Sequence, residues 1–100
     1  MAISDVQVKG SYIEVYDSNG KRLSYMSASS KELVGIASSF FVIIAGSYIE
    51  TYDENCKRIA YMSSSSKEVR GAAGDTFTVK SGSYIETYDK NCKRLSYRSA

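Results

Sequence analysis

The polarity of the side chains alternates in the segment SYIETYD near the middle of the chain. Ile49 and Thr51 point to one side of an extended backbone, and Tyr48, Glu50 and Tyr52 point to the other. A period of two residues predicts a β-strand with one face toward a core. The turn-forming sequence ENCK follows at once and leads into a second segment of this kind, so the pattern predicts a β-hairpin.

The same block occurs three times along the chain. The sequences GSYIEVYDSNGKRLSYMS, GSYIETYDENCKRIAYMS and GSYIETYDKNCKRLSYRS begin at Gly10, Gly46 and Gly82, which gives a period of 36 residues. A period of roughly 20–50 residues is typical of proteins in which one supersecondary unit buries its apolar face against copies of itself. We therefore predict a single repeat domain over residues 1–100, with units of approximately 1–27, 28–63 and 64–99.

Two loop lengths are possible for the hairpin of the first copy, whose turn has the sequence DSNGK. A two-residue Asn-Gly turn competes with a three-residue loop that holds Gly20 in a left-handed conformation. The three-residue loop pairs Tyr16 with Arg22 and separates an apolar face from a polar one, whereas the shorter loop mixes the two faces. We therefore predict the three-residue loop. The apolar face in that register comprises Ile13, Val15, Leu23 and Tyr25.

The remaining residues of each unit are predicted to form two further strands, at residues 32–37 and 40–44 in the second copy. The sequence Ser-x-x-Glu that starts at Ser29 is also typical of a helix capping box. The apolar stretch after it is short and contains Gly35, so a strand fits better than a helix. Each unit is thus predicted to be a four-stranded antiparallel meander. The counterparts in the third copy are residues 68–73 and 76–80.

The segment Phe40 to Ile44 is apolar on both faces, which indicates that the middle unit lies between the other two. In the 36-residue register Val6 aligns with Val42, whereas Phe77 aligns with Phe41, so the outer copies keep opposite apolar faces. Three sheets around a pseudo-threefold axis would bury the same face in every copy. The pattern therefore favours three all-β units stacked face to face.

The stretch EVRGAAGDTFTVKSGSYIETYDKNCKRL resembles a short blade of a β-propeller, with a Gly/Ala inner strand, an aromatic and β-branched strand, and a hairpin. The resemblance implies closure by association, with a homodimer of six blades as the simplest case, or else an open arc. The first copy lacks the small-residue strand, and a strand from another chain could fill that edge. The alternative is the three-sheet β-prism of the bulb mannose lectins, although their Q-x-D-x-N-x-V-x-Y motif is absent.

Composition excludes several classes of function. The formal net charge is +2 without a basic run, so neither nucleic acid nor an anionic membrane is expected as a partner. The longest apolar run, Phe40 to Ala45, is far shorter than the roughly 18–20 residues of a membrane span. Cys56 and Cys92 occupy the slot of Gly20 in the later copies, and we expect them to be free thiols in a cytoplasmic protein.

The candidate functional residues are tyrosines, glutamates and arginines that recur in every copy. The sequence contains no histidine and no Gly-rich phosphate loop, so we expect no enzyme, metal site or cofactor. A face of Tyr, Glu and Arg can bind a glycan or a peptide, or it can be buried between units of a structural or assembly protein. The candidate ligand-binding residues are Tyr12, Glu14, Tyr16, Arg22, Tyr48, Glu50, Tyr52, Arg58, Tyr84, Glu86, Tyr88 and Arg94.

Overall fold

The computed structural model describes residues 3–99, which form eleven β-strands joined by short turns and contain no helix. The strands make three antiparallel sheets, none of which closes into a barrel. The prediction of an all-β protein is therefore confirmed. In the described range no helix is long and apolar enough to cross a membrane.

Each sheet is a meander of consecutive strands. Sheet A contains β1 (Asp5–Lys9), β2 (Tyr12–Tyr16) and β3 (Arg22–Ser27). Sheet B contains β4 (Lys31–Ile36), β5 (Phe40–Ala45), β6 (Tyr48–Asp53) and β7 (Arg58–Ser63). Sheet C contains β8 (Lys67–Ala73), β9 (Thr76–Ser81), β10 (Tyr84–Asp89) and β11 (Arg94–Ser99).

The prediction of four-stranded units holds for sheets B and C, whereas sheet A has three strands, as expected from the absence of a small-residue strand in the first copy. The predicted first and second strands of the later units are present, with bounds that differ by one residue at most. Sheet A has three strands because β1 aligns with β5 and β9, which are the second strands of their units. The described residues of sheet A contain no counterpart of the small-residue strand that begins sheets B and C.

The three-residue hairpin loop is confirmed by its backbone. Gly20 has a φ of 77°, and Cys56 and Cys92 have a φ of 59° in the equivalent position. The amide of Asp17 donates to the carbonyl oxygen of Lys21 at 2.9 Å, which closes the loop. Asp17 Oδ1 also accepts from the Lys21 amide at 3.0 Å, so the aspartate before each loop stabilises its turn.

A β-bulge beside this loop shifts the pairing of the hairpin strands by one residue. Tyr16 pairs with Arg22 as predicted, but Glu14 then pairs with Tyr25, because Leu23 is an extra residue on its strand. The equivalent bulge occurs in sheets B and C. Tyr25 therefore lies on the face of Glu14 and not on the apolar face, and the predicted register was wrong beyond Arg22.

The middle sheet is buried on both faces, as predicted. Successive side chains of β5 point in opposite directions, so Phe41 and Ile43 pack toward sheet A while Phe40 and Val42 pack toward sheet C. None of these four side chains is exposed. The residues that cover them are Val6, Ile13 and Val15 from sheet A, and Phe77, Val79 and Tyr88 from sheet C.

Backbone contacts also join consecutive sheets. The amide of Ile3 donates to the carbonyl oxygen of Ser38 at 2.8 Å, and the amide of Ser38 donates to Gly74 at 3.0 Å. The first strands of sheets B and C pack directly on each other, since a Cβ at Gly35 would lie 3.0 Å from the Cβ of Ala72. Glycine at this position therefore permits the close approach of β4 and β8.

Two hydroxyl groups tie the sheets together near the hairpin loops. Ser24 Oγ donates to the Glu54 carbonyl oxygen at 2.5 Å between sheets A and B. Thr51 Oγ1 donates to the Lys90 carbonyl oxygen at 2.6 Å between sheets B and C. Glu54 and Lys90 occupy the same position of the repeat, so the loops of sheets B and C are each held by a hydroxyl group of the preceding sheet.

Substitutions of Cys56, in the loop of sheet B, separate the effect of backbone strain on stability from the effect of side-chain contacts. Cys56 packs against the core between sheets A and B, with its Sγ 3.2 Å from Ser24 Oγ. Both Cys56→Gly and Cys56→Ala lose these contacts, but only glycine relieves the left-handed backbone. We expect the glycine variant to be more stable than the alanine variant by about 1 kcal/mol, measured by urea denaturation.

The first copy provides the matched control for this comparison. Gly20→Ala introduces a Cβ at the same left-handed position, where nothing lies within 4 Å of it. We expect a loss of about 1 kcal/mol from backbone strain alone. Equal stabilities of Cys56→Gly and Cys56→Ala would contradict the strain that we assign to this position.

Candidate functional site

Each unit carries the same side-chain network on its Tyr-rich hairpin. In sheet B the Tyr52 hydroxyl donates to Glu50 Oε1 at 2.8 Å, and Arg58 Nη1 donates to Glu50 Oε2 at 3.4 Å. The Arg58 guanidinium lies over the Tyr61 ring, 4.8 Å from its centre. Tyr61 in turn meets Tyr48 edge to face, with their ring centres 5.5 Å apart. One glutamate thus connects two strands and three aromatic rings.

The network recurs in the other two sheets. In sheet C the Tyr88 hydroxyl donates to Glu86 Oε1 at 2.7 Å, and Arg94 Nη1 donates to Glu86 Oε2 at 3.1 Å. In sheet A, Glu14 accepts hydrogen bonds from Tyr16 and from the equivalent arginine. The arginine lies 4.8 Å from a tyrosine ring centre in all three units. The repeat of the sequence is therefore also a repeat of side-chain geometry.

Part of the network is buried between sheets. Tyr52 is 8% exposed and stacks on Phe41, with ring centres 5.6 Å apart and planes at 17°. Tyr88 makes the same stacked contact with Phe77 at 5.5 Å. Glu50 and Glu86 are buried with them. These side chains contribute to packing and are shielded from a ligand in solution.

The other part of the network is exposed in every unit. Tyr48 and Tyr61 are 47% and 56% exposed, and about half of the Arg58 side chain is accessible. The equivalent residues of sheets A and C have similar exposures. We call these groups the tyrosine–arginine clusters. Their members are Tyr12, Tyr25 and Arg22 in sheet A, Tyr48, Tyr61 and Arg58 in sheet B, and Tyr84, Tyr97 and Arg94 in sheet C.

The charges of the network are fixed by its hydrogen bonds and its burial. The hydrogen bond from Tyr88, and to a smaller extent that from Arg94, lower the pKa of Glu86. Burial, with the neighbouring glutamate, raises the pKa of Tyr52 and of Tyr88 to about 12. Near neutral pH the Glu86 carboxylate is therefore ionised, and the phenols of Tyr52 and Tyr88 are protonated. The network can donate and accept hydrogen bonds, but these groups do not exchange protons in that range.

The structure separates the twelve candidate residues into three groups. Tyrosines 12, 48 and 84 and the three arginines lie in the exposed clusters. Glutamates 50 and 86 and tyrosines 52 and 88 are buried between sheets. Glu14 and Tyr16 form the same pair on the outer face of sheet A, where no described residue of a further sheet covers them.

Sequence reasoning missed one member of each cluster, namely Tyr25, Tyr61 and Tyr97. The predicted register placed Tyr25 on the apolar face, and the bulge at Leu23 moves it beside Tyr12, with ring centres 5.5 Å apart. The arginine stacks on this tyrosine and not on Tyr16. The recurrence of an arginine three residues before a tyrosine in each copy was the available signal, but a bulge is needed to put both on one face.

The fold and these clusters define an all-β tandem-repeat protein. No family model matches the chain, and no curated protein matches it in sequence. The function is therefore inferred from the geometry of the three clusters.

Proposed function

We propose that the protein is a non-enzymatic binding module whose three tyrosine–arginine clusters contact one elongated ligand, a glycan or a peptide. The strongest support is that the same three side chains are exposed in every unit. They stay exposed while a hydrogen bond from the arginine to a glutamate fixes their positions. Side chains that serve only sheet packing, such as Tyr52, are buried in the same network.

The chemistry of a cluster suits a flat or extended polar ligand. The tyrosine rings provide apolar area with a hydroxyl at the tip, and the stacked arginine has N–H groups that its single glutamate contact leaves available. Packed sheets lie about 10 Å apart, and an extended peptide advances about 3.3 Å per residue. Neighbouring clusters are therefore spaced to contact every third residue of such a peptide, or alternate sugars of a glycan.

A screen against immobilised glycans and against a displayed peptide library tests the proposal. The informative variant is Tyr97→Ala, which removes one ring of the sheet C cluster. Leu95→Ala is the matched control, because Leu95 is 54% exposed on the same strand and is outside the cluster. We expect Tyr97→Ala to weaken capture tenfold or more, in the range typical of aromatic hot spots, and Leu95→Ala to leave it unchanged.

Both variants are expected to melt within a few degrees of the wild-type protein, because surface substitutions rarely cost more than about 0.5 kcal/mol. Combining Tyr25→Ala, Tyr61→Ala and Tyr97→Ala is expected to abolish capture, since multivalent binding is lost when each contact is weakened. Absence of any captured ligand, or equal binding by all variants, would rule out the clusters as the binding site.

A structural or assembly role is the second candidate, and the burial of Glu50 and Tyr52 between sheets favours it. Tyr48→Ala and Glu50→Ala distinguish the two functions. Under the binding proposal Tyr48→Ala reduces ligand capture with an unchanged melt. A lowered melting temperature for both variants, without any captured ligand, would support the structural role instead.

We further propose that the three sheets are arranged as propeller-like blades and not as a β-prism. The support is the choice of buried face: sheet A buries the side of β1 that contains Val6, whereas sheet C buries the opposite side of the aligned strand, with Phe77. Threefold prism symmetry would bury equivalent faces. An experimental structure that relates the sheets by a threefold axis would contradict this arrangement.

A homodimer would close six such sheets into a ring, with sheet A of one copy against sheet C of the other. Its interface would be polar, because Asp5 and Gln7 of sheet A, and Thr76 and Lys80 of sheet C, occupy positions that are apolar in β5. Light scattering measures the outcome. Twice the mass of the chain supports the ring, and the monomer mass supports an open stack with these polar faces as caps.

A cytoplasmic location is proposed from the two cysteines. Both are free thiols, and burial raises the pKa of Cys92 to about 11, so this thiol stays protonated at neutral pH. Free thiols that pack in a core are usual in a reducing compartment.

A further inference from the structure

Sheet A lacks a strand at the position where sheets B and C each have one. β5 pairs with β4 and with β6, and β9 pairs with β8 and with β10. The aligned strand β1 pairs with β2 alone among the described residues. One edge of β1 therefore has backbone amide and carbonyl groups without a strand partner in residues 3–99, which is the arrangement that accepts an added strand.

One apolar side chain on this edge is more exposed than its counterpart in sheet B. Val8 is 53% exposed, whereas Ile44, at the equivalent position of β5, is half-buried beside Glu32 of β4. On the neighbouring sheet, Leu33 and Ile36 of β4 are half-buried on the side that faces sheet A. A strand paired with β1 would cover all three apolar side chains.

The β4–β8 contact shows how such a strand would pack. β4 lies directly on β8, and this close approach to Ala72 is possible because Gly35 has no Cβ. A strand added to β1 would lie on β4 in the same way and would continue this interface by one layer. In the register of the other sheets, the residue opposite Val6 is a glycine, Gly35 or Gly71.

We propose that the free edge of β1 is a strand-addition site, which binds an extended segment of a partner protein as the fourth strand of sheet A. The site lies on the edge of β1 that faces away from β2, whereas the tyrosine–arginine cluster of sheet A lies on β2 and β3, with Tyr12 as the cross-strand neighbour of Lys9. The bound segment carries a glycine opposite Val6 and an acidic residue opposite Lys9.

The acidic residue follows from the charges in the sheets. In sheet C the lysine at this position, Lys67, reaches across to Glu86, with Nζ 3.8 Å from Oε1. In sheet A the cation comes from β1 itself, because Lys9 lies near the Tyr16 ring. The hydrogen bond from Tyr16 is the main cause that lowers the pKa of Glu14, and the charge of Lys9 adds to it. In sheet C, Lys67 pairs with Ser81, which aligns with Lys9 in the repeat. A lysine at the same position of the added strand would therefore face Lys9. A glutamate there pairs with Lys9 instead.

Two synthetic peptides test this site with the full-length protein. KEVRGAAG is the sequence of residues 67–74, and EEVRGAAG differs from it only in the residue that would face Lys9. Fluorescence anisotropy with labelled peptides is expected to show that EEVRGAAG binds several-fold more tightly. The preference is expected to reverse in Lys9→Glu, because the charge of the cross-strand partner is then inverted. A peptide with alternate backbone N-methyl groups is expected not to bind.

Hydrogen exchange identifies the edge that is used. Bound EEVRGAAG is expected to slow exchange of the β1 amides that face away from β2 and to leave β11 unchanged. Tyr97→Ala is expected to bind EEVRGAAG as the wild-type protein does, so failure of the cluster proposal and failure of this one give different results.

Three outcomes would overturn the proposal. The first is no binding of either peptide, which would mean that Asp5 and Lys9 protect an ordinary edge strand. The second is the same peptide preference in Lys9→Glu as in the wild-type protein. The third is protection of β1 that depends on protein concentration without peptide, which would identify a second copy of the chain as the occupant.

Discussion

Replacing Phe40 by alanine is expected to destabilise the protein by about 3–5 kcal/mol, a large part of the total stability of a small domain. The Phe40 side chain is completely buried between sheets B and C, and its ring meets Phe77 with centres 6.3 Å apart. Truncation removes the buried apolar area and leaves a cavity that two sheets fixed by backbone hydrogen bonds cannot fully close. Urea denaturation followed by circular dichroism measures the loss.

The third copy provides a matched control for this substitution. Thr76 aligns with Phe40 and lies half-buried on the outer face of sheet C. Thr76→Ala is expected to change the stability by no more than about 0.5 kcal/mol, as is usual for a surface position. If Thr76→Ala were as costly as Phe40→Ala, the outer face of sheet C would be covered in solution, and the polar interface of the proposed dimer would be the explanation.

Raising the pH from 10 to 12 is expected to remove a major part of the stability through Tyr52 and Tyr88. Their pKa is raised to about 12 in the folded protein, whereas an unfolded tyrosine titrates at about 10. A raised pKa means that the folded state holds the proton more tightly, so the stabilisation is complete below pH 10 and is lost as the pH rises toward 12. The ultraviolet absorbance of tyrosinate and the urea midpoint across this range measure the effect.

Single tyrosine variants test the assignment of this alkaline loss. In Tyr52→Phe one titrating phenol is absent, so we expect stability to fall less steeply between pH 10 and 12 than in the wild-type protein. Tyr48→Phe, at an exposed position of the same strand, is expected to leave the slope unchanged. Equal slopes in the two variants would show that burial of Tyr52 does not cause the loss.

Much of the fold followed from local patterns in the sequence. The alternation around Ile49, the turn chemistry of DSNGK and the two-sided apolar strand at Phe40 predicted strands, hairpin loops and a covered middle sheet, all of which the structure contains. These features depend on side-chain periodicity and on turn residues that act within a few positions of the chain.

The sequence predicted only part of the candidate site, because the exposure of a tyrosine and the face on which it lies depend on packing and on a bulge. Tyr48 and Tyr52 lie on the same side of β6 by their spacing, yet Tyr48 is exposed and Tyr52 is buried, because sheet A covers only part of that face. Tyr25 was assigned to the wrong face because a single unpaired residue, Leu23, reverses the alternation of its strand. Neither effect is visible in a pattern of polarity.

The period of 36 residues follows from the sequence alone, and so do the β-strands and the order of the sheets, since each unit repeats the same local preferences. The packing of the sheets sets which tyrosines reach solvent, which ones stack between sheets and which edge has no strand partner within residues 3–99. Those outcomes depend on how far one sheet extends over the next and on a bulge in each hairpin, and these are properties of packed sheets that no single strand contains.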